Sequence, residues 1–196
     1  MDMHSIKTFE NTTPLILGKQ SNRAIHDLLA ELAIRCKEVH VFDCAIRFNV
    51  FAIAEAGRKS NSNFLHNIHL QRAFTPYQLL DSIGELLRAP AELTGSPLYF
   101  FLAPSKQFFD GDVKKDEREH LLAVLVKKFE ALHEKKIRFL ISESLKIQDP
   151  LYLSYIEKLK NSFGSVEAKT PRSELEENGK DNTALFLANR IDVAGI

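Results

Sequence analysis

The sequence has no surplus of either charge: Lys plus Arg and Asp plus Glu each number 26 in 196 residues. Without a net positive field, nothing global holds a nucleic-acid backbone or an anionic membrane, so any DNA contact must be local. Cysteine is also scarce. Cys36 and Cys44 stand eight apart, with no second pair and no CxxC spacing, which argues against a zinc framework or a disulfide scaffold and favours a reducing, cytoplasmic setting. No apolar run approaches the roughly 18 residues of a membrane-spanning helix, and Met1 to Asn11 is too polar for a secretory signal. Internal repeats and low-complexity tracts are absent too.

What is present is 44% hydrophobic content, enough to bury one substantial core, so residues 1–196 are expected to form a single domain. Short apolar runs alternate with segments of helical period, the pattern of β-α-β units around a mainly parallel sheet. Pro14 to Gly18 reads as a buried strand, and Ile25, Leu28, Leu29, Leu32 and Cys36 then recur at helical spacing. Val39 to Asp43 is the next strand, followed by a helix around Val50 to Lys59 and an Asn/Ser-rich surface loop.

Asn67 to Arg72 alternates like a strand, and Pro76 opens a helix with Leu79, Leu80, Ile83, Leu86 and Leu87 on one face. Leu98 to Ala103 is wholly apolar, as expected of a central strand covered on both faces. The polar stretch Asp110 to Arg118 leads into Leu121, Leu122, Leu125, Phe129 and Leu132, and Ile137 to Ser142 returns as a strand. A helix with Tyr152, Ile156 and Leu159 follows Pro150, and Thr170 to Thr183 reads as a flexible segment before a last strand at Ala184 to Ala188.

Several strings, in order, resemble the core of RecA/RadA-type recombinases. Ile68-His69-Leu70-Gln71-Arg72-Ala73-Phe74-Thr75-Pro76-Tyr77-Gln78 is similar to that family's strand ending in Arg-Ala-Phe or Arg-Ala-Tyr before a helix with an early Gln. Val41-Phe42-Asp43 with Phe48 resembles its strand-Asp-Thr-Glu-Gly-Thr-Phe string. Leu98 to Phe109 followed by Arg118-Glu119-His120-Leu121-Leu122 resembles its Walker B strand and next helix. The likeness runs from about Thr13 to Leu145 and implies a RecA-like three-layer α/β/α sandwich.

The same alignment exposes what ATP chemistry would miss. A P-loop needs inner glycines so that backbone N–H groups can curl round phosphates, a Lys for the terminal phosphates and a hydroxyl for magnesium. Gly18-Lys19-Gln20-Ser21-Asn22-Arg23-Ala24 lacks the inner glycines and puts Arg23 and Ala24 in the last two places. Ala103 stands where the family's Walker B Asp orients the metal shell, and Ala45 where its glutamate activates water. Glu143-Ser144 replaces its polar sensor pair.

Lys19, Arg23, Arg47 and Arg72, with Asp43, are expected near the carboxyl ends of the strands, where an anion or nucleotide would bind an open α/β sheet. The alternative is structural: Arg23 a solvated helix-start residue, Arg72 ion-paired with Asp43 or Asp81. Cys44 is more simply a small buried hydrophobe than a nucleophile. His40, His66 and His69 are too dispersed in the expected topology for a metal site. Phe100 and Phe101 belong to the core, whereas Phe108 and Phe109 precede a loop that faces DNA in the family; its charges nearly cancel here. No catalytic residue, cofactor or metal is expected.

The resemblance with its losses implies a non-catalytic RecA-like protein, a pseudo-ATPase that works through a protein partner or self-association as an accessory factor in DNA recombination or repair. DNA contact is a weaker expectation, and no membrane contact is expected. The alternative is a nucleotide- or anion-sensing protein, or an enzyme, with an unusual site at the strand carboxyl ends.

Overall fold

A computed structural model describes residues 15–35, 37–60, 63–90, 97–109, 113–144 and 148–168. The apolar runs form strands β1 (Leu15–Leu17), β2 (Val39–Asp43), β3 (Ile68–Arg72), β4 (Leu98–Leu102) and β5 (Phe139–Glu143), and a short β6 spans Ser165–Glu167. The periodic segments form helices α1 (Ser21–Ile34), α2 (Val50–Ser60), α3 (Pro76–Arg88), α4 (Lys115–Glu134) and α5 (Pro150–Ser162). Two helix starts follow directly from local chemistry. Thr75 caps α3 by accepting the Gln78 N–H at 3.2 Å, and Asp149 caps α5 by accepting the Leu151 N–H at 2.8 Å, each just before a Pro in the first turn, where a missing N–H costs nothing.

The six strands run parallel in the order β3-β2-β4-β5-β1-β6. Because successive strand residues point to opposite faces, each apolar run feeds two cores. Ile16, Val39, Val41, Phe100, Leu102 and Leu140 pack on one face with α1 and Ile53 of α2. Leu15, Leu17, Phe42, Tyr99, Phe101, Phe139 and Ile141 pack on the other with α3, α4 and α5. This second core is built on aromatic contacts: Phe42 stacks on Phe101 at 4.8 Å, and Phe129 meets Phe101 edge-on at 5.0 Å. The result is the expected three-layer α/β/α sandwich, with β4 inside the sheet.

This layering fixes where a ligand would go. β1 and β5 are neighbours, yet the helices that follow them, α1 and α5, lie on opposite faces; the same holds for β2 and β4 with α2 and α4. Crevices open at such switch points, outside the carboxyl ends of the strands. Gly18, Asp43, Ala103 and Glu143 stand there.

Four boundaries differ from the sequence reading. β6 was not foreseen, because of its three residues only Val166 is apolar. Of the polar stretch before Leu121, Lys115 to Arg118 form the first turn of α4. β5 starts at Phe139 and runs through Glu143, carrying an acidic side chain to the strand end. α1 ends at Ile34; Cys36, residues 110–112 and 145–147, the segment 170–183 and the strand expected at 184–188 lie outside the described residues.

Candidate functional site

The first of the buried acids is Asp43, which ends β2. Its Oδ1 accepts the backbone N–H of Arg47 at 2.7 Å, and its Oδ2 lies 3.6 Å from Nε of Arg72, its register partner on β3. That second contact is an ion pair without hydrogen-bond geometry, since Oδ2 has no hydrogen-bond partner among the described residues. The loop from Cys44 to Asn49 is then tied to α1. Asn22 Nδ2 donates to the Arg47 carbonyl at 3.2 Å, and the Asn49 N–H donates to Nε2 of buried His26 at 2.8 Å. That bond makes Nε2 the acceptor and leaves Nδ1–H to donate to the Asn22 carbonyl. Burial lowers the His26 pKa, as a ring held in its neutral form requires. Within the loop, Ile46 has a φ of 52° and is 72% exposed. A β-branched residue in the left-handed region is strained.

The turn from Gly18 to Ala24 opens α1. Gly18 has a φ of 102°, which L side chains rarely adopt, donates its N–H to the Glu143 carbonyl at 3.0 Å, and sits in a tight spot where a Cβ would stand 3.3 Å from the Ala168 carbonyl oxygen. The Ser21 and Ala24 N–H groups bond back to Gly18 and Gln20. No side chain caps the helix. Lys19 and Arg23 are exposed, and Arg23 lies 4.0 Å from Asp27 one turn on.

Of the five residues expected at the site, Asp43, Arg47 and Arg72 therefore meet, with Arg47 contributing its backbone. Among the described residues, no ion pair or hydrogen bond joins Lys19 or Arg23 to them. Arg72 follows the structural alternative, paired with Asp43.

Sequence reasoning passed over Glu143 as a site residue. It is 2% exposed, and it gathers donors from two loops and a helix. Ser105 donates its N–H to Oε1 at 3.0 Å and its hydroxyl to Oε2 at 2.8 Å; the hydroxyls of Tyr155 (3.2 Å to Oε1) and Tyr152 also donate. Burial pushes its pKa up to about 7, against the pull of these hydrogen bonds. The available signal was an acid closing an otherwise apolar strand, which must be paired or protonated if buried.

Cys44 is fully buried beside these acids. Burial first, then Glu143 and Asp43, push its thiol well up, which opposes the thiolate form. Ala103 is buried with a φ of 49° and donates its N–H to the Ser142 carbonyl at 2.9 Å. Phe100, Phe101 and Phe108 are wholly buried. Phe109 meets Tyr152 edge-on at 5.6 Å, with the Arg118 guanidinium 5.0 Å from its ring centre. A base has no open ring face to stack on at Phe108.

The histidines require a correction. His40 and His69, expected to be dispersed, are register partners on β2 and β3 with rings 4.7 Å apart. Glu38 joins them: its Oε1 lies 2.8 Å from His40 Nε2 and 3.5 Å from His69 Nε2. The parallel pairing of β2 with β3 brings together residues 29 apart in sequence. His66 is not in this group. A groove between α4 and α5, lined by Glu119, Tyr155 and Lys158 among others, offers about 30 Å³, room for a water and not for a nucleotide. No model of a known protein family matches the chain, and no curated protein sequence matches it.

Proposed function

We propose that the chain is a degenerate RecA-like protein without ATPase chemistry, working by protein–protein contact through the β2–β3 edge of its sheet. The observation that carries this reading is a set of large exposed apolar side chains on β3 and in the segments that follow β2 and β3. Ile46, Val50 and Phe51 follow β2; Phe74 follows β3; Leu70 lies on β3 itself. Phe51 is 83% exposed and Phe74 64%, so these two alone leave roughly 300 Å² of aromatic surface in water. Exposed apolar surface of a few hundred Å² marks an interaction site more often than a bare face. β3 also ends the sheet among the described residues, presenting an unpaired backbone edge.

The carboxyl end of the sheet supports the loss of ATP chemistry. The residues there do not fit a magnesium nucleotide: Ala24 and Ala103 offer no oxygen to the ion, and Gly18 N–H, Asp43 and Glu143 are engaged with protein groups. The assignment to recombination or repair rests on the resemblance of the strings from Thr13 to Leu145. A second reading, as an anion or nucleotide sensor, has one observation in its favour: α1 starts without a side-chain cap, between exposed Lys19 and Arg23.

The test is a double variant, Phe51→Asp with Phe74→Asp. The wild-type chain is expected to co-purify with a stoichiometric partner from its native host, or to self-associate by light scattering, and the variant to lose that association with its melting temperature unchanged. A wild-type chain that stays a solitary monomer in both experiments contradicts the reading. So does a variant that keeps its partner.

A further inference from the structure

We propose that Glu38, His40 and His69 form a binding site for one divalent transition-metal ion at the amino-terminal end of the β2–β3 pair. The backbone sets the arrangement. Glu38 and His40 are two apart in extended chain and so share a face, and His69 is placed beside His40 by the parallel register. Their ligand atoms all lie within 4.8 Å of one another.

Metal–nitrogen and metal–oxygen bonds of about 2.0–2.2 Å place neighbouring ligands roughly 3.0–3.4 Å apart. The Glu38 oxygen is 2.8 Å and 3.5 Å from the two imidazole nitrogens, on either side of that spacing and close to it. The widest pair closes by small rotations of the rings about χ2, whose well is broad. His40 also rests against the ring of buried Tyr99 at 5.2 Å, which limits how far it can swing away.

Two imidazoles and one carboxylate select the ion. Such a set suits zinc, cobalt, nickel or copper(II) over magnesium or calcium, which prefer all-oxygen shells. All three side chains are partly exposed, so water completes the shell and the ion enters directly from solvent. The site is separate from the strand carboxyl ends: His40 and His69 stand three residues before Asp43 and Arg72, about 10 Å along the strands. A bound ion would clip edge strand β3 to β2 through side chains as well as backbone. Without an ion, Glu38 is hydrogen-bonded to His40 with the His69 ring nitrogen 3.5 Å away, and the experiment separates these states.

The untagged full chain is titrated with Co²⁺, read by its visible d–d absorption, and with Zn²⁺, read by the melting temperature. The expected result is one Co²⁺ per chain and a rise of several degrees with Zn²⁺. His69→Ala and Glu38→Gln, both changes at partly exposed positions, should each weaken Co²⁺ binding at least tenfold and leave the metal-free melting temperature in place. Failure of the wild-type chain to take up Co²⁺ at about 1 mM overturns the proposal. Binding by both variants as tight as wild type overturns it equally.

Discussion

Glu143 is a carboxyl group buried at a strand end, and its ionisation makes the fold sensitive to pH. Burial raises its folded-state pKa from the ordinary 4.5 to about 7. Between those values the folded chain binds more protons than the unfolded chain, so stability falls as pH rises through that window and levels off above it. The loss should be about 3 kcal/mol. Denaturant unfolding of the wild-type chain and of Glu143→Gln from pH 4.5 to 8 checks this: the variant should lack this fall and be the more stable protein at pH 8. Ile46 offers a second residue-scale test. Relieving its left-handed strain with Asn, which tolerates that region, should raise stability by about 0.5–1 kcal/mol, measured by the same unfolding.

At the scale of elements, the clasp between α1 and the loop after β2 depends on a neutral His26. Its pKa is lowered by burial, so the stability it contributes is present at neutral pH and is lost as pH falls through that lowered value. This is opposite in sign to the effect of Glu143, and single variants separate the two. In hydrogen exchange, the Asn49 amide should be protected in the wild-type chain and lose that protection in His26→Ala, while amides of β4 keep theirs. Equal protection of Asn49 in both would show that the loop is held by other means.

The elements themselves were largely legible in the sequence. Leu98 to Leu102 and Phe139 to Ile141 are so apolar that only strands buried on both faces fit them, and Pro76 and Pro150 mark helix starts through their missing N–H. β6 was not legible, because Ser165-Val166-Glu167 carries one apolar residue and forms by pairing with β1. The site was read only in part. Asp43 and Arg72 could be expected together at strand ends, but Glu143 depends on the end of β5, and sequence periodicity places ends poorly. The Glu38–His40–His69 group needed the β2–β3 register, which no local pattern encodes.

For the whole molecule, the topology sets crevices at the strand carboxyl ends. Gly18, Asp43 and Glu143 sit where a ligand would enter, and each is bonded to a neighbouring segment. The exposed apolar side chains Ile46, Val50, Phe51 and Phe74 lie in the segments that follow β2 and β3. The proposed function thus has two halves, the loss of ATP chemistry at the strand carboxyl ends and protein contact at the β2–β3 edge. Thermal unfolding with magnesium and ATP tests the first half most directly. A ligand present at a hundred times its dissociation constant adds about 2.7 kcal/mol, which for a chain of this size moves the melting temperature by roughly 5–10 °C. The account predicts no shift with ATP and magnesium at millimolar concentration, and a rise of that size, lost on removing magnesium, would contradict it.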